Sequence, residues 1–143
     1  MHITETTALS ATQWQTLEAL IDSIIPADDF PSGWQAGVGD YLARQFTLDL
    51  ADVVAQYHLG LDALEAEAQK QFGRAFVDLA ANTRGNLLYQ IEGDAVHTVW
   101  SISPSTFFKM VIEHAHEGYY SDPGNGGNHD GVAWQMIGYR VEA

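Results

Sequence analysis

Cysteine is absent from the 143 residues, so this chain alone builds no disulfide, thiolate nucleophile, iron–sulfur cluster or cysteine–zinc site. Basic residues are scarce as well: six Lys and Arg stand against 19 Asp and Glu, for a formal charge of −13. So acidic a surface repels phosphate backbones and anionic lipid, which excludes nucleic acid as a main partner; basic patches on another protein are drawn to it. Long apolar runs are also missing. No eighteen-residue stretch is apolar enough to cross a bilayer, and the opening residues MHITETTALS carry neither the basic nor the apolar region of an export signal. The location expected from the sequence as it stands is cytoplasmic.

Aromatic and aliphatic residues are plentiful. The hydrophobic share is 46 %, with four Trp, six Tyr and six Phe, a composition that disordered chains lack and that suffices for one domain with its own core. The expectation is a single all-α domain over residues 1–143: a compact bundle of about five helices, a loose arm over 1–9, and a long ordered Gly-rich loop over 118–139.

Ser10 with Gln13 forms a capping box, and Trp14, Leu17, Leu20, Ile21, Ile24 and Ile25 recur at helical spacing until Pro26. PADDFPSGWQAG (26–37) reads as a loop, and a short helix follows with Val38, Tyr41, Leu42 and Phe46. The longest helix spans about 49–72. Leu50, Val53, Val54, Tyr57, Leu61, Leu64, Ala68 and Phe72 share one face, while Asp52, Asp62, Glu67 and Lys70 point away. Gly60 interrupts it, marking a kink or a close approach, and Gly73 stops it. Asn82 is expected to cap a fourth helix with Leu87, Leu88 and Ile91 inward. Ser103-Pro104 opens a fifth that runs to about Glu117, with Phe107, Phe108, Val111, Ile112 and Ala115 inward and Gly118 as its terminator. VHTVWSI (96–102) is the one β-like run.

The tail GYYSDPGNGGNHDGVAWQMIGY (118–139) differs from the rest: glycines, one proline and polar residues lie between large aromatics. It reads as a packed Ω-type loop, as a surface that meets a partner, or as both. Its GNGG has no Lys and Ser/Thr of a phosphate loop. Asp122, Asn125, Asn128 and Asp130 lack EF-hand spacing. Glu113 and His116 have the Glu-x-x-His spacing of di-iron bundles, but the second pair, Asp94 with His97, falls in a loop, and the helical wheel turns Glu113 and His116 to solvent. His114 sits at the rim of the apolar stripe as a hydrogen-bonded histidine, leaving His129 as the histidine best placed for a specific contact. No Gly-x-Ser-x-Gly supports nucleophilic catalysis, and no strand followed by Gly-x-Gly-x-x-Gly supports flavin or nicotinamide binding.

Two separated segments carry a family resemblance. Gly118-Tyr119-Tyr120-Ser121-Asp122-Pro123, followed by Gly126-Gly127-Asn128, Asp130, Trp134 and Ile137-Gly138-Tyr139, resembles the terminal signature of the gluconate 2-dehydrogenase subunit 3 family. IIPADDFPSGWQAGV (24–38) resembles that family's early Pro/Gly-rich stretch, and GLDAL (60–64) and FF (107–108) fall at matching distances. The sequence departs from the pattern at Asn125, at His129 and at Arg140-Val141.

The resemblance implies a non-catalytic small subunit that binds and stabilises a large FAD-dependent dehydrogenase of the glucose–methanol–choline type. Gluconate 2-dehydrogenase and glucoside 3-dehydrogenase are the implied examples. FAD, and in some complexes an iron–sulfur cluster, then belongs to the partner subunit, with a cytochrome c reached through the complex. A periplasmic location follows if a twin-arginine signal has been removed or the complex is exported. The partner-binding residues expected on this basis are Tyr119, Tyr120, Ser121, Asp122, Pro123, Asn128, His129, Asp130, Trp134 and Tyr139. The competing expectation is a stand-alone metal-dependent enzyme or binding protein built on His114, His116, Asp122, His129 and Asp130.

Overall fold

A computed structural model of the protein describes residues 8–121. Among these residues there are five α-helices and no strand: α1 (Ala11–Ile24), α2 (Val38–Gln45), α3 (Val54–Phe72), α4 (Ala81–Glu92) and α5 (Pro104–Tyr119). Short 3-10 turns at Ala51–Val53 and Phe76–Asp78 lead into α3 and α4. The all-helical expectation holds.

Local chemistry sets the ends of the helices. The Ser10 hydroxyl accepts from the Gln13 amide at 3.1 Å, and the Gln13 side chain accepts from the Ser10 amide at 2.9 Å, closing the capping box of α1. Gly37 takes φ 101° to start α2, and Gly73 takes φ 67° to end α3, both in the left-handed region that glycine enters without strain. Ser103 caps α5 with Pro104 at its first position. Asp94 reinforces that end, accepting from the Ser105 amide at 3.0 Å and the Ser105 hydroxyl at 2.9 Å.

Helix α5 is the hub, packed against each of the other four. Phe107, Val111, Ala115 and Tyr119 are buried on its inner face, and Trp14, Leu17, Leu20, Ile21, Tyr57, Leu61 and Leu64 meet them from α1 and α3. The closest approach is at Gly60. A Cβ there would lie 2.2 Å from the Phe107 ring, so α3 and α5 touch where only hydrogen fits. Gly60 therefore marks close packing, and α3 runs unbroken through it.

Five expectations change. Phe108 and Ile112, expected inward on α5, are only half-buried and line a surface groove. The α-helical part of the long element starts at Val54, because Ala51–Val53 winds as a tighter 3-10 turn; Leu50 is only partly buried and Phe72 is 40 % exposed. Asn82 lies inside α4 and caps nothing, since Ala80 holds the N-cap position without a side-chain bond. Gly118 does not terminate α5. It is buried within the last turn, where a Cβ would come 2.8 Å from the Tyr41 ring, so its role is helix-to-helix contact. Glu67 does not point away: it is fully buried.

Gly60→Ala is expected to lower stability despite a helix-propensity gain of about 1 kcal/mol. Forcing a methyl into the Phe107 contact costs roughly 1–3 kcal/mol, so urea unfolding should give a net loss of up to about 2 kcal/mol. A rise in the unfolding midpoint would contradict the close approach.

Candidate functional site

Two buried polar clusters could hold chemistry, and both are satisfied from within. At the first, the segment after α4 folds back over α3, and the β-like run 96–102 spends its donors on one carboxylate instead of a ladder. Glu67 accepts from the amides of His97 (2.7 Å) and Thr98 (3.2 Å), the Thr98 hydroxyl, the Trp100 indole (3.2 Å) and the Gln71 side chain. Burial alone would push this carboxyl up. The bonds from Thr98, Gln71, His97 and Trp100 outweigh it and hold the pKa at about 2.

The second cluster joins α3 to α5. The Tyr57 hydroxyl lies 2.8 Å from His114 Nδ1, and the two rings stack with centroids 5.8 Å apart. Burial lowers the His114 pKa against the opposing pull of Glu117 and Glu113, and burial likewise raises that of Tyr57. The pair is therefore neutral at pH 7. His114 is the hydrogen-bonded histidine expected from its place on the stripe, with Nδ1 engaged by a phenol.

A surface cleft of about 200 Å³ is the third feature, and it joins the two sequence segments singled out above. Ile24, Ile25, Pro26 and Asp28 form one wall; His116, Tyr119 and Tyr120 of α5 and its cap form the other. The walls are locked together. Tyr119 is buried, and its hydroxyl donates to the Pro31 carbonyl at 3.1 Å. Burial raises its pKa, with Tyr120 and Asp28 adding to the rise, so it remains a donor. The loop wall is stiffened in turn: the Gly33 amide donates to the Ile25 carbonyl at 2.8 Å, Trp34 donates to Asp22 at 2.9 Å, and Asp28 accepts from the Phe30 amide at 2.9 Å.

Tyr120 stands edge-on to Tyr119, with centroids 5.3 Å apart, and keeps 39 % of its surface exposed. The cleft thus offers an apolar floor, one carboxylate, one imidazole and one accessible phenol. Such a set suits binding a side chain of another molecule.

Of the expected partner-binding residues, Tyr119 is an inward anchor, Tyr120 is outward, and the Ser121 hydroxyl donates to the Gly118 carbonyl at 3.0 Å. Asp122, Pro123, Asn128, His129, Asp130, Trp134 and Tyr139 lie outside the described residues. Ile25, Pro26 and Asp28 were not among the expected site residues, and His116 was expected only in the competing metal-binding reading. The early Pro/Gly-rich segment was the available signal for the first three.

Among the described residues no three His, Asp or Glu side chains converge in a metal-ligating group. Glu113 and His116 are exposed, as the helical wheel indicates, and they border different hollows. Asp94 is committed to Ser105. Among the described residues the larger groove, about 560 Å³ beside α4 and α5, is bordered by Glu92, Glu113 and Lys109.

The described residues form an all-helical domain in which the early Pro/Gly-rich segment and the start of the terminal one, Tyr119 and Tyr120, line one surface cleft. A family model described as gluconate 2-dehydrogenase subunit 3 matches residues 11–140. The chain belongs to that family, which places it in the class of small subunits of dehydrogenase complexes. Comparison with curated proteins and with solved structures gives no match.

The buried clusters predict a two-stage acid response. The depressed His114 pKa contributes stability that is complete above its unfolded value near 6.5 and is lost progressively as pH falls below it. Glu67 contributes above its unfolded value of 4.5, and that part is lost as pH falls toward about 2. Glu67→Gln should cost on the order of 2 kcal/mol at pH 7 and flatten the wild-type decline between about pH 4.5 and 2. Melting temperatures across this range check it; parallel curves would show that the carboxylate is not charged in the fold.

Proposed function

We propose that this chain is a non-catalytic accessory subunit that binds and stabilises a large FAD-dependent dehydrogenase of the glucose–methanol–choline type. The substrate would be a sugar or sugar acid, with gluconate 2-dehydrogenase or glucoside 3-dehydrogenase as the nearest models. The observation that carries this reading is the family match over 11–140, supported by the cleft that brings Ile24, Ile25, Pro26 and Asp28 against Tyr119 and Tyr120. The FAD, and any iron–sulfur cluster, belongs to the large subunit, and electrons leave the complex there, to a cytochrome c or another acceptor.

Several features favour docking over catalysis. A net charge of −13 attracts a basic counterpart and steers its approach. Tyr120 is a large, amphipathic contact with few rotors, held by Tyr119 behind it, so little freedom is lost on binding. The signature residues Asp122, Pro123, Asn128, His129, Asp130, Trp134 and Tyr139 are proposed as partner contacts on the family resemblance alone. A periplasmic site of action would require export of the complex or an earlier signal; otherwise the complex is cytoplasmic.

Coexpression tests the reading. The purified chain alone should be colourless and should not reduce a dye with gluconate or glucose as donor. With the large subunit present it should copurify as a yellow, active complex. Tyr120→Ala should leave the melting temperature of the isolated chain nearly unchanged yet cut the recovered active complex about tenfold, equivalent to about 1.4 kcal/mol. A wild-type chain that binds metal stoichiometrically and turns over without a partner would contradict the proposal.

A further inference from the structure

We propose that the outer face of α5, from Ser105 to Tyr120, is a track for a single amphipathic helix of the large subunit, an apolar stripe flanked by Lys or Arg. The inference rests on the accessory-subunit reading and specifies what that partner presents.

Helix α5 has two usable faces. Phe107, Val111, His114 and Ala115 go inward, while Ser105, Phe108, Lys109, Ile112, His116 and Tyr120 recur every three or four residues around the other side, where half-buried Phe108 packs one edge against the core and leaves the other to the groove. That second row is half-buried or exposed throughout, and a hollow opens at each end of it. The N-terminal hollow, about 560 Å³, is bordered by Phe108 and Ile112 with Glu92, Glu113 and Lys109. The C-terminal one is the cleft holding His116, Tyr120 and Asp28. A third hollow of about 230 Å³ shares Glu92 and Phe108 with the first and extends it to Leu88 and Tyr89 of α4. Tyr89 is 78 % exposed, far more than an aromatic in a packed helix pair needs to be.

The geometry selects the occupant. Fifteen residue steps at about 1.5 Å each make a track of roughly 22 Å, or four helical turns. Among the described residues there is no strand, so an extended peptide would find no sheet edge to complete its hydrogen bonds, whereas a helix satisfies its own. The floor is apolar and narrow: Phe108, Ile112 and Tyr89. Its borders carry Glu92, Glu113 and Asp28 against a single cation, Lys109, on a chain of charge −13. An apolar stripe with basic flanks is the complement of that pattern.

The test pairs a charge reversal on the track with an equal reversal elsewhere. Glu92→Lys/Glu113→Lys changes two exposed carboxylates beside the groove; Asp52→Lys/Asp78→Lys changes two exposed carboxylates near the ends of α3. Each variant, along with Ile112→Glu, is coexpressed with the large flavoprotein subunit, and melting curves establish that each is folded. The Glu92/Glu113 variant and Ile112→Glu should bind at least tenfold more weakly, while the Asp52/Asp78 variant should stay within threefold of wild type. A fifteen-residue peptide with Leu on one helical face and Lys beside it should follow the same order by fluorescence anisotropy, and a scrambled peptide of equal composition should not discriminate among the variants. Equal weakening by both charge reversals, or by neither, overturns the track while leaving the accessory reading intact. A wild-type chain that recruits no flavoprotein overturns both.

Discussion

The contact between Gly60 and the Phe107 ring fixes the rest of the molecule. A side chain at residue 60 would collide with that ring at 2.2 Å, so only glycine lets α3 and α5 lie this close. Their closeness brings Tyr57 within 2.8 Å of His114 Nδ1 and stacks the two rings. Phe46 completes the cluster edge-on to Tyr57 at 4.9 Å. With α5 seated here it reaches α1, α2 and α4 as well, and Gly118, at its far end, allows the second close approach, to Tyr41. The helix is held along its length by its inner face, while Lys109, Ile112 and His116 on the opposite side stay half-buried or exposed.

Polar groups inside the fold serve as fasteners. Glu67 gathers the amides and side chains of the 97–100 segment onto α3, and Arg84 bridges α4 to the Leu79 carbonyl at 3.1 Å and the Ser23 hydroxyl at 3.2 Å. A buried carboxylate with this many donors is stable charged, and removing it would strand several donors at once. This arrangement accounts for a loop that lacks regular structure yet has a defined course.

Much of this was legible in the residues. Apolar periodicity placed all five helices, because a helix that must bury one stripe writes that stripe at a spacing of three and four. The Ser10–Gln13 box and the Ser103-Pro104 start are local signals, and the structure has both. What escaped were non-local events. On the helical wheel Glu67 belongs to the polar side, and nothing near it in sequence indicates that residues thirty positions later supply its donors. Gly118 has the look of a terminator, since its Tyr41 neighbour is 77 residues away. At the site, Tyr120 was anticipated as a contact; the opposing wall of Ile25, Pro26 and Asp28 required knowing that two distant segments meet.

The inner face of α5 builds the bundle, and its outer face is the one we propose meets a partner. The chain has two lysines, and they report on different surfaces: Lys109 on the outer face of α5 and Lys70 on the exposed side of α3. Acetylation of the free chain and of the complex, with each lysine quantified by mass spectrometry, is the most direct measurement of this division. The account predicts that both lysines react in the free chain, and that assembly protects Lys109 while Lys70 stays reactive. Lys109 reacting equally in both states, with or without protection of Lys70, would contradict it.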